Sequence, residues 1–411
     1  MLFSLILPPV IATCGIFFTV RLFKPIVMHP KRTLRAAVRG SGMRESLGSL
    51  CLALSGTLGV GNIVGVAAGI AAGGAGSVFW MLTSALFSAV IKYAEGTLAA
   101  ADGHGLGLIP CVKRAFGKKG AALYAALSVL LALTMGSALQ SGAVRGAAEG
   151  IGANMHIAAP IVTALVISAV IFGGRGIRRA VSLIIPFATV CYSLLCLAVI
   201  IPNLHLLRDT LSEIVTDALT PRAASGGVLG FIISSGMREG FARGLLSNEA
   251  GAGTSAFSHT EAAAKNPIRC GLFGATEVIF DTVILCMETA VMILISGTES
   301  QHGVPAIAKT LAKYTAGAGN SVLFVCISLF ATATVLCWYC YGKLAAAYLL
   351  GRRGERWFVP LFFTAFFLGL ITELVYLLPL TDLILLILTV LSTLTLIKSS
   401  DRIVSLSEPK D

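Results

Sequence analysis

Gly56-Thr57-Leu58-Gly59-Val60-Gly61-Asn62-Ile63-Val64-Gly65 sets four glycines, a threonine and an asparagine inside an apolar stretch long enough to cross a membrane. A second glycine-rich, polar-interrupted segment, Gly236–Gly253, opens the other half of the chain. Paired interruptions of apolar spans are where helical membrane carriers hold small ligands, because an unwound turn frees backbone groups that lipid cannot satisfy.

The surrounding composition fixes the class. Of 411 residues, 56% are hydrophobic and 12% charged, and mean hydropathy is +0.87. A soluble chain carries about twice that charge fraction. Most of the sequence falls into apolar runs of about 20 residues, the length of a membrane-crossing helix. The fold class is therefore all-α and polytopic. Ten cysteines lie mostly within apolar runs and read as small apolar side chains, and six histidines have no ligand spacing. No catalytic triad, phosphate loop or metal-ligand cluster is visible, so the chain does not read as an enzyme. No cofactor, nucleic-acid partner or obligate protein partner is implied; the surroundings are membrane lipid.

Eleven spans are expected, at 2–22, 46–71, 76–101, 121–149, 157–173, 181–202, 226–250, 270–297, 321–349, 357–378 and 380–398, with a short helix at 304–316 on the outer surface. The N-terminal run lacks a basic start and a small-residue cleavage site, so it reads as a retained span. Twenty-three lysines and arginines gather on one side of this arrangement, against Arg208, Arg222, Lys309 and Lys313 on the other. The net charge of +11 is thus a topology signal. The basic side is cytoplasmic, which puts the N-terminus outside and the C-terminus inside, as expected for a bacterial inner-membrane protein. Residues 1–45 form an extra helix and basic loop, 46–202 a first five-helix repeat, 203–225 an external connection, 226–398 a second, inverted repeat, and 399–411 a cytoplasmic tail. Each repeat begins with a broken span, at 56–62 and at 234–249.

Thr57 and Asn62 add short polar side chains to the first break, where a helix N-terminus accepts a carboxylate and carbonyls face a cation. The alternative use of these glycines is close helix packing. Gly236, Gly240 and Gly244 give the second span one very small face. Arg238, Glu239 and Arg243 on it must meet protein or water, pairing with internal acids or acting as gates. Ser247-Asn248-Glu249-Ala250-Gly251 reads as a cytoplasmic turn. Asp281, deep in an apolar span, is a candidate on an ion path, whereas Glu277 and Glu288 read as salt-bridged or protonated. Gln140 suits an amino-acid zwitterion or a helix–helix hydrogen bond. Trp338 closes a cavity face or anchors at the interface.

These blocks resemble the alanine or glycine:cation symporter family. The match is carried by Gly59-Val60-Gly61-Asn62-Ile63-Val64-Gly65-Val66, by Gly73-Gly74-Ala75-Gly76-Ser77-Val78-Phe79-Trp80-Met81, and by Arg243-Gly244-Leu245-Leu246-Ser247-Asn248-Glu249-Ala250-Gly251 continuing toward His259. Asp281-Thr282 and Trp338-Tyr339-Cys340-Tyr341-Gly342 add to it. The resemblance implies the ten-helix inverted-repeat core of amino-acid:cation symporters plus one extra N-terminal helix. It also implies uptake of alanine, glycine or a similarly small amino acid, coupled to sodium or in some members to protons.

Carried over by position, Thr57, Gly61 and Asn62 match the substrate cavity, with side-chain contacts from Gln140 and Trp338 and little room for larger side chains. Thr334 matches a hydroxyl near one sodium, beside carbonyls of the first broken span such as that of Gly59. Val60 stands where relatives commonly carry threonine, and Ala333 where a second hydroxyl is common. Glu288 takes a position usually small and uncharged, and Leu374–Thr389 differs from the usual end. Transport of D-alanine, serine or a short amide is the alternative within this class. A channel would need a continuous polar stripe, whereas these polar groups concentrate around mid-span breaks.

Overall fold

The computed structural model describes residues 2–23, 51, 54–151, 153–219, 234–258, 266–298, 303–315, 317–372 and 375–408. The regular structure among them is entirely helical. Helix α1 spans Leu2–Leu22. Helix α2 is broken, with a turn at 54–57, non-helical residues 58–60 and a resumed helix Gly61–Gly73. It is followed by α3 (Gly76–Asp102), α4 (Ile109–Gly150), α5 (Met155–Ile171) and α6 (Gly173–Ile200). After α7 (Leu207–Ala218) the second half contains α8 (Ser235–Asn248), α9 (Pro267–Ser296) and α10 (Val304–Thr315). The chain then runs through α11 (Ala318–Leu350), α12 (Arg352–Ile371), α13 (Leu378–Lys398) and the short α14 (Ser400–Ser407).

Eight of the described helices are long and apolar enough to cross a membrane, and Gly61–Gly73 and Ala159–Ile171 are shorter apolar segments. Of the three other expected spans, 46–71 and 226–250 lie partly outside the described residues, and the described part of the latter, α8, is 14 residues long with six polar or charged side chains. The basic loop within 24–50, part of the 203–225 connection and His259 lie outside the described residues.

Sidedness within each helix fits a lipid surround. On α6, Leu183, Phe187, Val190 and Leu194 follow a helical period and are exposed, while Ile185, Ala188, Tyr192 and Val199 on the other face are buried. In water such a stripe would be an interaction surface; against lipid tails it is the ordinary outer wall. The interior is the polar part. Asn62, Lys92, Glu95, Gln140, Asn248, Glu249, Glu277 and Asp281 are all buried.

Helices on either side of the 203–225 connection pack together. The resumed part of α2 packs against α8, and α3, which follows the first break, packs along α9. The glycine face expected on α8 is what permits the first of these approaches to extend onto α3. A Cβ at Gly240 would stand 2.3 Å from Ser77 O, and one at Gly244 2.4 Å from Ser84 Oγ. Helices α3 and α9 cross backbone to backbone, since a Cβ on Gly96 would stand 2.5 Å from Cys270 O.

At the C-terminal end of α3, Asp102 accepts hydrogen bonds from Arg114 at 2.7 Å and from Arg402 at 2.6 and 2.5 Å. Arg21 pairs with Asp401. The tail helix α14 is thereby latched to α1 and α3.

The second interruption differs in place from the sequence expectation. Residues 235–248 form an unbroken helix capped by Ser234, whose hydroxyl accepts from Met237 N at 3.3 Å. The chain leaves the helix at Glu249 (φ 55°) and stays non-helical through Ser255 before one turn of helix at 256–258. Nor is this a surface turn: Glu249, Ala250, Ala252, Thr254 and Ser255 are buried. Glycines four residues apart form one helix face, so they tolerate close packing without unwinding the helix. The break comes where Asn248 turns its carboxamide onto Ala250 N at 3.0 Å and competes with the helical ladder.

Candidate functional site

At 58–60 the helical ladder of α2 stops, and side chains take over the freed amides. Gly59 N donates to Thr57 O at 2.7 Å and to Asn62 Oδ1 at 3.2 Å. Val60 N donates to Gln140 Oε1 at 3.3 Å. Leu58 O accepts from Thr334 Oγ1 at 3.4 Å. Three helices thus hold one unwound turn, and Gly59 is required there, since a Cβ would stand 2.8 Å from Thr334 Oγ1. The chain resumes through a widened turn, Gly61–Gly65. Similar π-type turns lie at Thr134–Ala138 in α4 and Ile279–Cys286 in α9. Such turns frequently mark functional positions in helices. Here they carry or adjoin Asn62, Gln140 and Asp281.

A cavity of about 540 Å³ opens onto this turn. Of the residues expected at the site, Thr57, Gly59, Gly61, Gln140 and Thr334 line it, together with Val60, Ser247 and Glu249. Its far end is bounded by Arg145, Glu149, Gly150, Val304, Pro305 and Leu378. The rim cations have partners, Arg145 with Glu149 at 3.2 Å and Arg243 with Glu239 at 3.2 Å. Arg243 therefore pairs along its own helix. Arg238 lies on the same helix, away from the lining.

Asn62, Asp281 and Trp338 lie behind the lining. Asn62 Nδ2 donates to Asp281 Oδ1 at 2.6 Å and to Asp281 O at 3.0 Å, while its oxygen holds Gly59 N. Asp281 Oδ2 accepts from Ser247 Oγ and Thr282 Oγ1, both at 2.8 Å. Asn248 Nδ2 reaches Thr282 Oγ1 at 3.1 Å. A continuous hydrogen-bond network therefore runs from the first break through Asn62 and Asp281 to the end of α8, just before the second break. Asn62 joins Asp281 to Gly59 N, while Thr334 meets the same turn at Leu58 O. Among the described residues there is no group of three or more His, Cys, Asp or Glu side chains able to hold a metal ion.

Trp338 is wholly buried. Its ring lies against Gly136, where a Cβ would stand 2.3 Å away, and edge-on to Tyr341 with centroids 5.4 Å apart. It supports the α4 turn that precedes Gln140 instead of facing the cavity.

The ion pair that sequence reasoning left incomplete is Lys92 with Glu277, at 3.0 Å and fully buried. Lys92 Nζ also donates to Ser255 Oγ at 2.8 Å, tying the second break to α3 and α9. The signal was a lysine in an apolar span, which needs a buried counter-ion. Tyr124 is a further support, its hydroxyl donating to Ala252 O at 2.7 Å. Glu288 accepts from Ser193 Oγ at 2.8 Å on the far side of the bundle.

A sequence profile of the sodium:alanine symporter family matches residues 1–406. The chain belongs to this family. Among relatives, a putative sodium/proton-dependent alanine carrier protein of Bacillus subtilis is 34% identical over 362 residues, covering 80% of this chain and 73% of its own. A sodium/alanine symporter of Methanococcus maripaludis is 30% identical over 382 residues, covering 83% and 80%. A probable sodium/glutamine symporter of Bacillus subtilis is 30% identical over 365 residues, covering 85% and 76%. Membership in the sodium:alanine symporter family makes this a multi-pass membrane transporter.

Proposed function

We propose that this protein is a secondary active symporter that takes up a small neutral amino acid, alanine or glycine, together with sodium. The observation that carries the reading is the unwound turn 58–60 set at the wall of a cavity and held by exchangeable side-chain hydrogen bonds. The N-terminus of Gly61–Gly73 faces this turn, and a helix N-terminus favours a carboxylate. Gln140 Oε1 on Val60 N takes the acceptor position that a substrate carboxylate oxygen fills in the loaded state. Thr57 and Gly61 shape the wall. The Leu58 carbonyl, the Thr334 hydroxyl and the neighbouring Gly59 supply hard oxygen donors of the kind sodium takes.

Asn62 and Asp281 act behind the wall, coupling the conformation of the first break to the end of α8. Trp338 acts through Gly136, stiffening the helix that presents Gln140. Ion and substrate together then favour the passage from outward-open to inward-open, each adding contacts that the other state lacks. With the basic loops cytoplasmic, the cavity opens to the outside through its rim at Arg145 and Pro305. The halves 46–202 and 226–398 work as inverted repeats in a cell membrane, with the N-terminus outside.

The test is uptake of labelled alanine or glycine into reconstituted vesicles. An inward sodium gradient raises uptake in the proposed mechanism. Uptake that is flat across imposed sodium and proton gradients refutes coupling, and competition by D-alanine, serine and glutamine ranks the substrates.

A further inference from the structure

Glu249 is in a conformation and an environment that the fold alone does not require. It ends α8 with φ 55° and ψ 21°, the left-handed region in which glycine or asparagine is the low-strain choice. Its side chain is 1% exposed. Oε2 accepts from Thr254 Oγ1 at 2.7 Å, but Oε1 is buried without a hydrogen-bond partner. A buried carboxylate oxygen left in that state is unfavourable unless a donor arrives.

Among the described residues no cation is hydrogen-bonded to it. The charged groups acting on Glu249 include Lys92, Glu277 and Asp281. Lys92 is held by Glu277 and Ser255, and the other two are acids. The cations at the cavity rim pair with Glu149 and Glu239. Glu249 nevertheless belongs to the cavity wall, on the same wall as Ser247, whose Cα would lie 3.5 Å from a Cβ on Gly61. The helix ends flanking the two breaks therefore pack closely, and one cavity is lined both by the turn at 59–60 and by Glu249.

We infer that Glu249 receives the ammonium group of the transported amino acid while the first break receives its carboxylate. The inference rests on the symport reading above and deepens it. Ionised N–H···O contacts are the stronger class of hydrogen bond, so the pair selects zwitterions over simple carboxylates. Oε1 gains its missing donor, and Oε2 keeps Thr254.

Equilibrium binding of labelled alanine to the purified protein in sodium tests this. E249Q weakens alanine binding about tenfold or more, and E249D restores part of it. E249Q binding within about twofold of wild type overturns the inference, as does E249Q binding that returns to wild type in saturating sodium, because the carboxylate then serves the ion. Where E249Q does not fold, carbodiimide labelling of the wild-type protein gives the answer by mass spectrometry. Alanine protects Glu249 from modification and propionate does not; equal labelling with and without alanine overturns the assignment. Wild-type protein that binds no small amino acid at all overturns the symport reading and this inference together, a result distinct from alanine binding that survives loss of the carboxylate.

Discussion

Asn62→Ala tests whether the first break is pinned from behind. The carboxamide makes three bonds: from Gly59 N at 3.2 Å, to Asp281 O at 3.0 Å and to Asp281 Oδ1 at 2.6 Å. A net hydrogen bond to a charged group contributes roughly 1.5–3 kcal/mol and a neutral one about 1 kcal/mol. These terms do not add, since Gly59 N keeps Thr57 O and Asp281 keeps Ser247 and Thr282. The charged bond alone sets a scale of about 2 kcal/mol, or ~30-fold in affinity if the lost order must be regained on binding. The assay is a binding isotherm for labelled alanine in sodium, with folding checked by helical content and gel-filtration profile. Asn62→Asp serves as a size-matched companion, setting a second carboxylate beside Asp281 and so weakening binding at least as much near neutral pH. Folded Asn62→Ala that binds alanine within about twofold of wild type refutes the argument.

Other outcomes are equally definite. Lys92→Met leaves Glu277 buried without its partner and lowers stability by about 3–5 kcal/mol, read as a fall in detergent-solubilised melting temperature; a double replacement with Glu277→Gln recovers much of it. Gly59→Ala crowds Thr334 Oγ1 at 2.8 Å and reduces sodium-stimulated uptake at unchanged membrane abundance, with an overpacking cost of about 1–3 kcal/mol. Tyr124→Phe removes the hydroxyl from Ala252 O and lowers stability by about 1 kcal/mol, measured by thermal unfolding. Arg402→Ala removes the tie of α14 to α3 while Arg21–Asp401 remains, which hydrogen exchange reports as reduced protection over 400–407. Hydrogen bonding to Asp102 raises the Arg402 pKa above its ordinary value, so the latch persists as pH rises and opens only when Asp102 is protonated.

The break in α2 is legible in the sequence because four glycines surround an asparagine and a threonine at lipid depth, more polarity than close packing alone requires. The second break is harder to place. Gly236, Gly240 and Gly244 share a spacing with a packing ridge, and in the folded chain they are one, against Ser77 and Ser84. The true interruption begins at Glu249, a residue type that rarely signals a left-handed turn. Its neighbours Ser247 to Gly251 look like a polar surface loop because polarity in sequence does not say whether water or protein satisfies it. Gln140, Thr334 and Thr57 reach the cavity by their place on helices that the break touches. Asn62 and Asp281 have the expected chemistry, but their partners are separated by more than two hundred residues, and local pattern cannot pair them. The family resemblance sets Trp338 at the cavity, whereas a glycine on another helix decides where its ring goes.

The crossing at Gly96 and Cys270 has a mechanical corollary. Main chains in direct contact leave no intervening side chains whose rotamers could yield, so α3 and α9 shift as a single stiff beam. Lys92 on α3 ties both helices to the second unwound segment through Glu277 and Ser255. In the proposed alternating-access cycle, a tilt of this beam carries that segment with it.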